Sequence, residues 1–170
     1  MKLKEITTAI FVLLLVGGAA FLWFSPSGMQ QAPAVTVTTL DGKSLPLASL
    51  QGRPVLVTFW ATTCPGCVQE IPHLVDLHRE LGPKGLEIVA IAMSYDPPEQ
   101  VKKLVLMKQV PYTVALDTDG SAAKAFGNVQ LTPTSFLLDP QGHIVEQKLG
   151  EMDMVQLRQR ILSMLPGNHA

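Results

Sequence analysis

The sequence has few cysteines and little charge, and both shortages exclude classes of protein. Only two of the 170 residues are cysteine, so the chain is not a small scaffold held together by several disulfides. Charged residues make up 16% of the chain and hydrophobic residues 47%, a balance that excludes a disordered protein. The net charge of −1 at pH 7 creates no basic surface for a nucleic acid, so we expect no nucleic-acid partner.

A long uncharged segment lies near the N-terminus, at residues 6–24. As a helix rising about 1.5 Å per residue it would span about 28 Å, close to the roughly 30 Å of a bilayer core. Lys2 and Lys4 precede it, which by the positive-inside rule keeps residues 1–5 in the cytoplasm and exports the rest. We therefore predict a single-pass anchor in the bacterial cytoplasmic membrane, with the C-terminal domain facing the periplasm or the cell exterior. A cleaved signal peptide is the alternative, although its apolar region is typically only about 7–15 residues long.

The remainder of the chain reads as a short linker and one domain. Residues 25–34 are uncharged and rich in proline, serine, glycine and glutamine, which predicts a flexible tether. Residues 35–170 are long enough to bury a core of their own. An alternating pattern around Asp41-Gly42 predicts an N-terminal β-hairpin, and the apolar run at 54–60 predicts a strand buried on both faces.

Strand and helix patterns alternate through this domain and predict an α/β fold. We expect a mixed central sheet with helices on both of its faces. Further strands are predicted at 86–93, 113–116, 134–139 and 143–149, and helices at 65–81, 98–109, 121–126 and 154–165.

Both cysteines belong to one unit, Cys64-Pro65-Gly66-Cys67, placed where a predicted strand ends and a helix begins. Residues three apart share a helix face, so the two sulfurs can form a disulfide. Cys64 would lie at the helix N-terminus, where free N–H groups and the helix dipole favour an anion and lower its pKa. Cys67, one turn further, would be more buried. This predicts a redox pair in which Cys64 is the nucleophile and Cys67 resolves the mixed disulfide.

Other uses of the cysteine pair fit the sequence less well. A structural disulfide across so short a loop would add little stability. Zinc needs four ligands, and covalent haem needs a histidine where Val68 stands, so we predict neither a metal site nor a cofactor. A Cu(I) carrier remains an alternative, because two thiolates suit that soft ion.

Two segments carry a resemblance to a known family. Residues 58–67 (TFWATTCPGC), followed by Glu70-Ile71-Pro72, resemble the active-site helix of thioredoxin-like proteins. They are most similar to the membrane-anchored TlpA/ResA/CcmG group of extracytoplasmic thiol-disulfide oxidoreductases, as is the N-terminal hairpin. Residues 132–139 (TPTSFLLD) resemble the cis-proline segment of the same proteins. The resemblance implies a thioredoxin-like fold with a cis peptide bond before Pro133, facing the cysteine pair.

The resemblance also implies roles for individual residues. The backbone of Thr132 would pair with an extended substrate segment, with further contacts from Pro65 and Gly66. Trp60 is expected chiefly in the core and is also assigned as a substrate contact.

One acidic residue is a candidate for the proton transfer. Thioredoxin itself has a buried aspartate at the position of Thr58, which cannot act as a base. Members of the TlpA/ResA group often carry an acid at the position of Glu70, so Glu70 is our candidate proton acceptor for Cys67. The family's usual tryptophan before the first cysteine is replaced here by Thr63.

By this resemblance the chain would be a monomeric, membrane-tethered reductase of exported proteins. Its substrates would be apocytochrome c or the copper-site cysteines of oxidase assembly. Its electrons would come from a membrane thiol transporter of the CcdA/DsbD kind. A thiol peroxidase is a further alternative, but the peroxiredoxin pattern needs a threonine where Ala61 stands.

Overall fold

The computed structural model describes residues 30–165 of the chain. The predicted cytoplasmic N-terminus (1–5) and membrane anchor (6–24) lie outside the described residues. Within 30–165, every helix is too short or too polar to cross a membrane.

Seven strands form one mixed sheet in the part of the chain that the structure describes. Their order across the sheet is β2-β1-β5-β4-β3-β6-β7. The three strands β3, β4 and β5 are parallel, and the remaining pairings are antiparallel. The strands are β1 (Thr36–Thr39), β2 (Ser44–Pro46), β3 (Val55–Trp60), β4 (Glu87–Ala92), β5 (Thr113–Leu116), β6 (Thr134–Leu138) and β7 (Ile144–Leu149).

Strand β3 divides the core, because its side chains alternate between the two faces of the sheet. All six of its residues are buried, as the continuous apolar run predicts. Leu56 and Trp60 belong to one hydrophobic cluster, whereas Val57 and Phe59 belong to another, where Phe59 packs edge-on against Phe136.

Four α-helices cover the sheet among the described residues: α1 (Pro65–Leu81), α2 (Pro98–Met107), α3 (Ser121–Ala125) and α4 (Met154–Met164). Buried residues of α1, α2 and α4 all join the cluster that contains Leu56. Those of the short α3 join the opposite cluster. The predicted α/β fold, with helices on both faces, is therefore confirmed, although one face carries most of the helical cover.

The predicted strands and helices are all present, with boundaries within about two residues. A difference appears at residues 30–34, which fall in the segment predicted as a tether. The amide of Ala32 donates to the carbonyl of Gly142 (2.9 Å), and the amide of Ile144 donates to the carbonyl of Gln30 (2.8 Å). Residues 30–32 of this segment therefore pair with the start of β7 and with the turn before it.

Helix α4 offers a direct test of a capping interaction. The Asp153 carboxylate accepts hydrogen bonds from the amides of Val155 (3.0 Å) and Gln156 (3.1 Å), which would otherwise be unpaired at the helix start. We predict that Asp153→Ala lowers the free energy of unfolding in urea by about 1 kcal/mol. Asp76→Ala, an exposed control on α1, should change it by less than about 0.5 kcal/mol. Equal effects of the two substitutions would contradict the capping role.

Candidate active site

The first turn of α1 is built around Cys64. Strand β3 ends at Trp60, and Pro65 occupies the first helical position, where its missing N–H costs nothing. Cys64 has extended backbone angles (φ −94°, ψ 107°) and caps the helix. Its sulfur accepts a hydrogen bond from the amide of Cys67 at 3.2 Å. The helix start therefore directs an N–H group at the Cys64 sulfur, as expected for a site that stabilises a thiolate.

The two cysteines form a disulfide, and their environments differ. Their Cα atoms are 5.3 Å apart. Cys64 is partly exposed, whereas the side chain of Cys67 is 3% exposed. Cys64 is therefore the more accessible of the two residues.

A buried carboxylate supports the loop that leads to Cys64. Asp96, after β4, accepts hydrogen bonds from both the amide (2.6 Å) and the hydroxyl (2.5 Å) of Thr62. Asp96 itself is buried. Nothing in the local sequence pattern marks this contact, which joins residues 34 positions apart.

The loop before β6 lies next to the end of β3, from which the chain continues to Cys64. The Thr132–Pro133 peptide bond is cis, the geometry that the resemblance implies. Thr134 pairs with Phe59 of β3, so Pro133 lies at the edge from which the chain continues to Cys64. Thr132 is half-buried and Pro133 buried. The amide of Gly150 donates to the carbonyl of Pro133 (2.9 Å) and holds the loop from its other side.

Glu70 lies one turn after Cys67 and is 3% exposed. Its carboxylate accepts a hydrogen bond from the amide of Met152 at 2.7 Å. Burial raises the pKa of the Glu70 carboxyl above its usual range, and the Met152 amide partly offsets this. The negative charge of Glu151 raises that pKa further, whereas His73 lowers it slightly.

A narrow cavity of about 10 Å³ connects Glu70 with its neighbours. Cys67, Glu70, Trp60 and Tyr112 are among the residues that line it. By this measure it has room for about one water molecule. Cys67 and Glu70 therefore line the same narrow cavity.

Trp60 lies in the core, and its assignment as a substrate contact remains a prediction. Its side chain is only 5% exposed, because β3 is covered on both faces. Among residues 30–165 its indole nitrogen has no hydrogen-bond partner, and it lies in the cavity wall rather than at the surface. Thr58, at the position of thioredoxin's aspartate, is also buried there, and its hydroxyl accepts a hydrogen bond from Ser135 (2.9 Å).

Within the described residues, no three histidine, cysteine, aspartate or glutamate side chains are grouped as a metal site would require.

Comparison with known proteins agrees with this geometry. The family model described as Redoxin matches residues 26–159. The chain belongs to the Redoxin family. It is 30% identical to thiol-disulfide oxidoreductase ResA of Bacillus cereus, over 98% of this chain and 100% of that protein.

Solved structures of other proteins share the fold. A putative thioredoxin from Neisseria meningitidis has a TM-score of 0.74 and 35% identity, covering 82% of this chain and 93% of that one. A thiol:disulfide interchange protein from Chlorobium tepidum has a TM-score of 0.74 and 28% identity, covering 82% and 99%. The protein is thus a thiol-disulfide oxidoreductase with a thioredoxin-like fold, similar to the TlpA/ResA/CcmG group.

The Asp96 carboxylate predicts a stability cost for its removal. Asp96→Ala leaves the Thr62 amide without its carboxylate acceptor. We therefore expect this substitution to lower the free energy of unfolding of the oxidised protein, measured in urea, by about 1.5–3 kcal/mol. Thr62→Val, which removes the hydroxyl alone, should have the smaller effect. A change below about 0.5 kcal/mol for Asp96→Ala would refute this support.

Glu70 predicts a pH-dependent stability. Because the folded pKa lies above the unfolded value of 4.5, the stabilising contribution of the protonated carboxyl is complete below pH 4.5. It is lost as the pH rises through the folded pKa. Glu70→Gln does not titrate, so its stability relative to the wild type should increase across that interval and then level off. Urea unfolding between pH 4 and pH 8 measures this difference.

The exposed Glu99→Gln is the matched control for the Glu70 titration. The free energy of unfolding of Glu99→Gln should change with pH in parallel with that of the wild type. A parallel curve for Glu70→Gln as well would show that the Glu70 pKa is not raised by folding.

Proposed function

We propose that the protein reduces disulfides in specific exported proteins with the Cys64–Cys67 dithiol, from a tether on the outer face of the bacterial cytoplasmic membrane. The observation that carries this proposal is the asymmetry of the pair. Cys64 is accessible at a helix N-terminus, and the buried Cys67 lines a narrow cavity together with a carboxylate. A base beside the buried thiol serves a reductase, because that thiol must lose its proton to complete the reaction.

The reaction balances in two exchanges. The Cys64 thiolate attacks one sulfur of a substrate disulfide, which forms a mixed disulfide and releases the other substrate sulfur as a thiolate. Cys67, once deprotonated, attacks the Cys64 sulfur, and the second substrate thiolate leaves. Two electrons pass from the dithiol to the substrate, which ends as two thiols, and the enzyme ends as the observed disulfide.

Glu70 accepts the proton of Cys67 in the second exchange. It lines the same cavity, and the Met152 amide fixes the orientation of its carboxylate. A raised pKa brings a carboxylate closer to the range in which it exchanges protons efficiently near neutral pH.

The substrate would dock across the two loops beside Cys64. The cis bond orients the backbone of Thr132, whose half-buried position leaves it open to pairing with an extended segment. Pro65 is exposed and Gly66 partly exposed beside the attacked sulfur, so both would contact that segment. Thr63 is exposed where the family usually has tryptophan, and it would leave space for a bulkier substrate residue.

The membrane context rests on the sequence. The alignment with the Bacillus cereus relative covers 98% of the chain and therefore extends into the predicted anchor at 6–24. Tethering would raise the local concentration of the domain near a membrane thiol transporter of the CcdA/DsbD kind, its proposed electron donor. The proposed substrates are apocytochrome c or the copper-site cysteines of oxidase assembly, and the proposed state is a monomer.

Trapping tests the proposed substrate class. Cys67→Ser lacks the resolving thiol, so mixed disulfides to Cys64 should accumulate in cells that express the full chain. We expect these adducts to contain an exported apocytochrome or copper-site protein, and to disappear with dithiothreitol. The double variant Cys64→Ser/Cys67→Ser is the control and should trap nothing. Adducts formed only with cytoplasmic proteins would refute the proposal.

Single-turnover kinetics test the role of Glu70. With a peptide disulfide as substrate, Glu70→Gln should leave release of the first thiol unchanged. Release of the second thiol should slow by about 10- to 100-fold, at the low end of general-base effects, and recover at higher pH. Glu99→Gln should behave as the wild type. Equal rates of second-thiol release in wild type and Glu70→Gln would exclude Glu70 as the proton acceptor.

A further inference from the structure

The loop between β7 and α4, residues 150–152, contacts the loop at Pro133, the side chain of Glu70 and the turn that contains the two cysteines. The amide of Gly150 holds the Pro133 carbonyl, and the amide of Met152 holds the Glu70 carboxylate. Gly150 has a φ of +87°, a conformation that favours glycine. The residue between them, Glu151, has no role in the reaction described above.

The Glu151 side chain lies against the Cys64-Pro65-Gly66-Cys67 turn. A Cβ atom on Gly66 would be 3.1 Å from Glu151 Oε1 and 3.7 Å from its Cγ. The carboxylate therefore lies directly beside Gly66, where a side chain on residue 66 would be in tight contact with it. Glu151 is exposed, and between residues 30 and 165 no lysine, arginine or histidine lies within ion-pair distance of it.

This position brings a second negative charge to the helix start that stabilises the Cys64 thiolate. When the disulfide is reduced, the Cys64 thiolate lies at the start of α1, and the Glu151 carboxylate lies against the same turn. Like charges on neighbouring groups repel, and without a paired cation only solvent weakens the repulsion. The oxidised form carries no thiolate and has no such cost.

We propose that Glu151 lowers the reduction potential of the Cys64–Cys67 pair by placing a negative charge against the first turn of α1. The protein would thereby give up its electrons more readily. The inference deepens the proposed reductase function, on which its biological meaning depends. Glu151 is a positioning residue, since it acts on the stability of the thiolate and takes no part in bond exchange.

The same charge acts on the buried carboxylate. Glu151 is one of the groups that raise the pKa of Glu70, after the larger effect of burial; His73 and the Met152 amide act in the opposite direction. One side chain thus disfavours both anions of the reduced site, the Cys64 thiolate and the ionised Glu70.

The test compares charge variants of the full chain in detergent, equilibrated with dithiothreitol buffers at pH 7. At a fixed ratio of reduced to oxidised dithiothreitol, Glu151→Gln should raise the ratio of reduced to oxidised protein by about threefold or more, the order that repulsion between neighbouring like charges produces even in a water-like dielectric. A tenfold change corresponds to about 30 mV for this two-electron couple. Glu151→Lys should raise the ratio further, and Glu151→Asp should change it least.

Two controls separate charge from packing. Glu99→Gln removes an exposed carboxylate elsewhere and should leave the ratio within twofold of the wild type. Salt at about 1 M shortens the screening length to roughly 3 Å, so the difference between wild type and Glu151→Gln should narrow. A merely structural role would give the same shift for Gln and Lys and no response to salt.

The outcomes distinguish this inference from the proposed function. Ratios within twofold of the wild type for both Gln and Lys, or a shift toward the oxidised form, would overturn the role of Glu151. If the wild-type protein has an oxidising potential and the reduced fraction increases in the order Asp, Gln, Lys at position 151, the role of Glu151 is supported and the reductase proposal is refuted. If the wild-type protein has a reducing potential that does not change with residue 151, the reductase proposal is supported and the role of Glu151 is refuted.

Discussion

The start of helix α1 at Cys64 is the constraint on which the rest of the site depends. A strand buried on both faces ends at Trp60, and Pro65 allows a helix to begin directly after Cys64. The helix start directs an amide at the Cys64 sulfur, and the first turn places Cys67 inside the core. One backbone transition thus makes one sulfur accessible and anion-stabilised and the other sulfur buried.

Three distant segments complete this local arrangement. Asp96 after β4 supports the approach to Cys64, the cis bond before Pro133 shapes the neighbouring loop, and residues 150–152 connect that loop with Glu70. They meet because the ends of β3, β4 and β7 and the start of β6 share one edge of the sheet. The sheet order therefore determines which residues surround the cysteines.

Local patterns in the sequence predict this site only in part. Apolar runs, helical spacing and the cysteine spacing predict β3, α1 and the disulfide, because these depend on neighbours within a few residues. The cis bond and Glu70 came from the family resemblance. The contacts of Asp96 and Glu151 have no local signal, since each depends on a fold that brings distant residues together. The backbone pairing of residues 30–32 with Gly142 and Ile144 also has no signal in the composition of that segment.

The central claim is that the Cys64–Cys67 dithiol donates electrons. The most direct test is the reduction potential of the wild-type full chain, equilibrated against glutathione or dithiothreitol at pH 7. A reductase should have a reduction potential near or below about −220 mV, in the range of thioredoxin and the glutaredoxins. A value near about −120 mV, that of a strong disulfide oxidant, would contradict it.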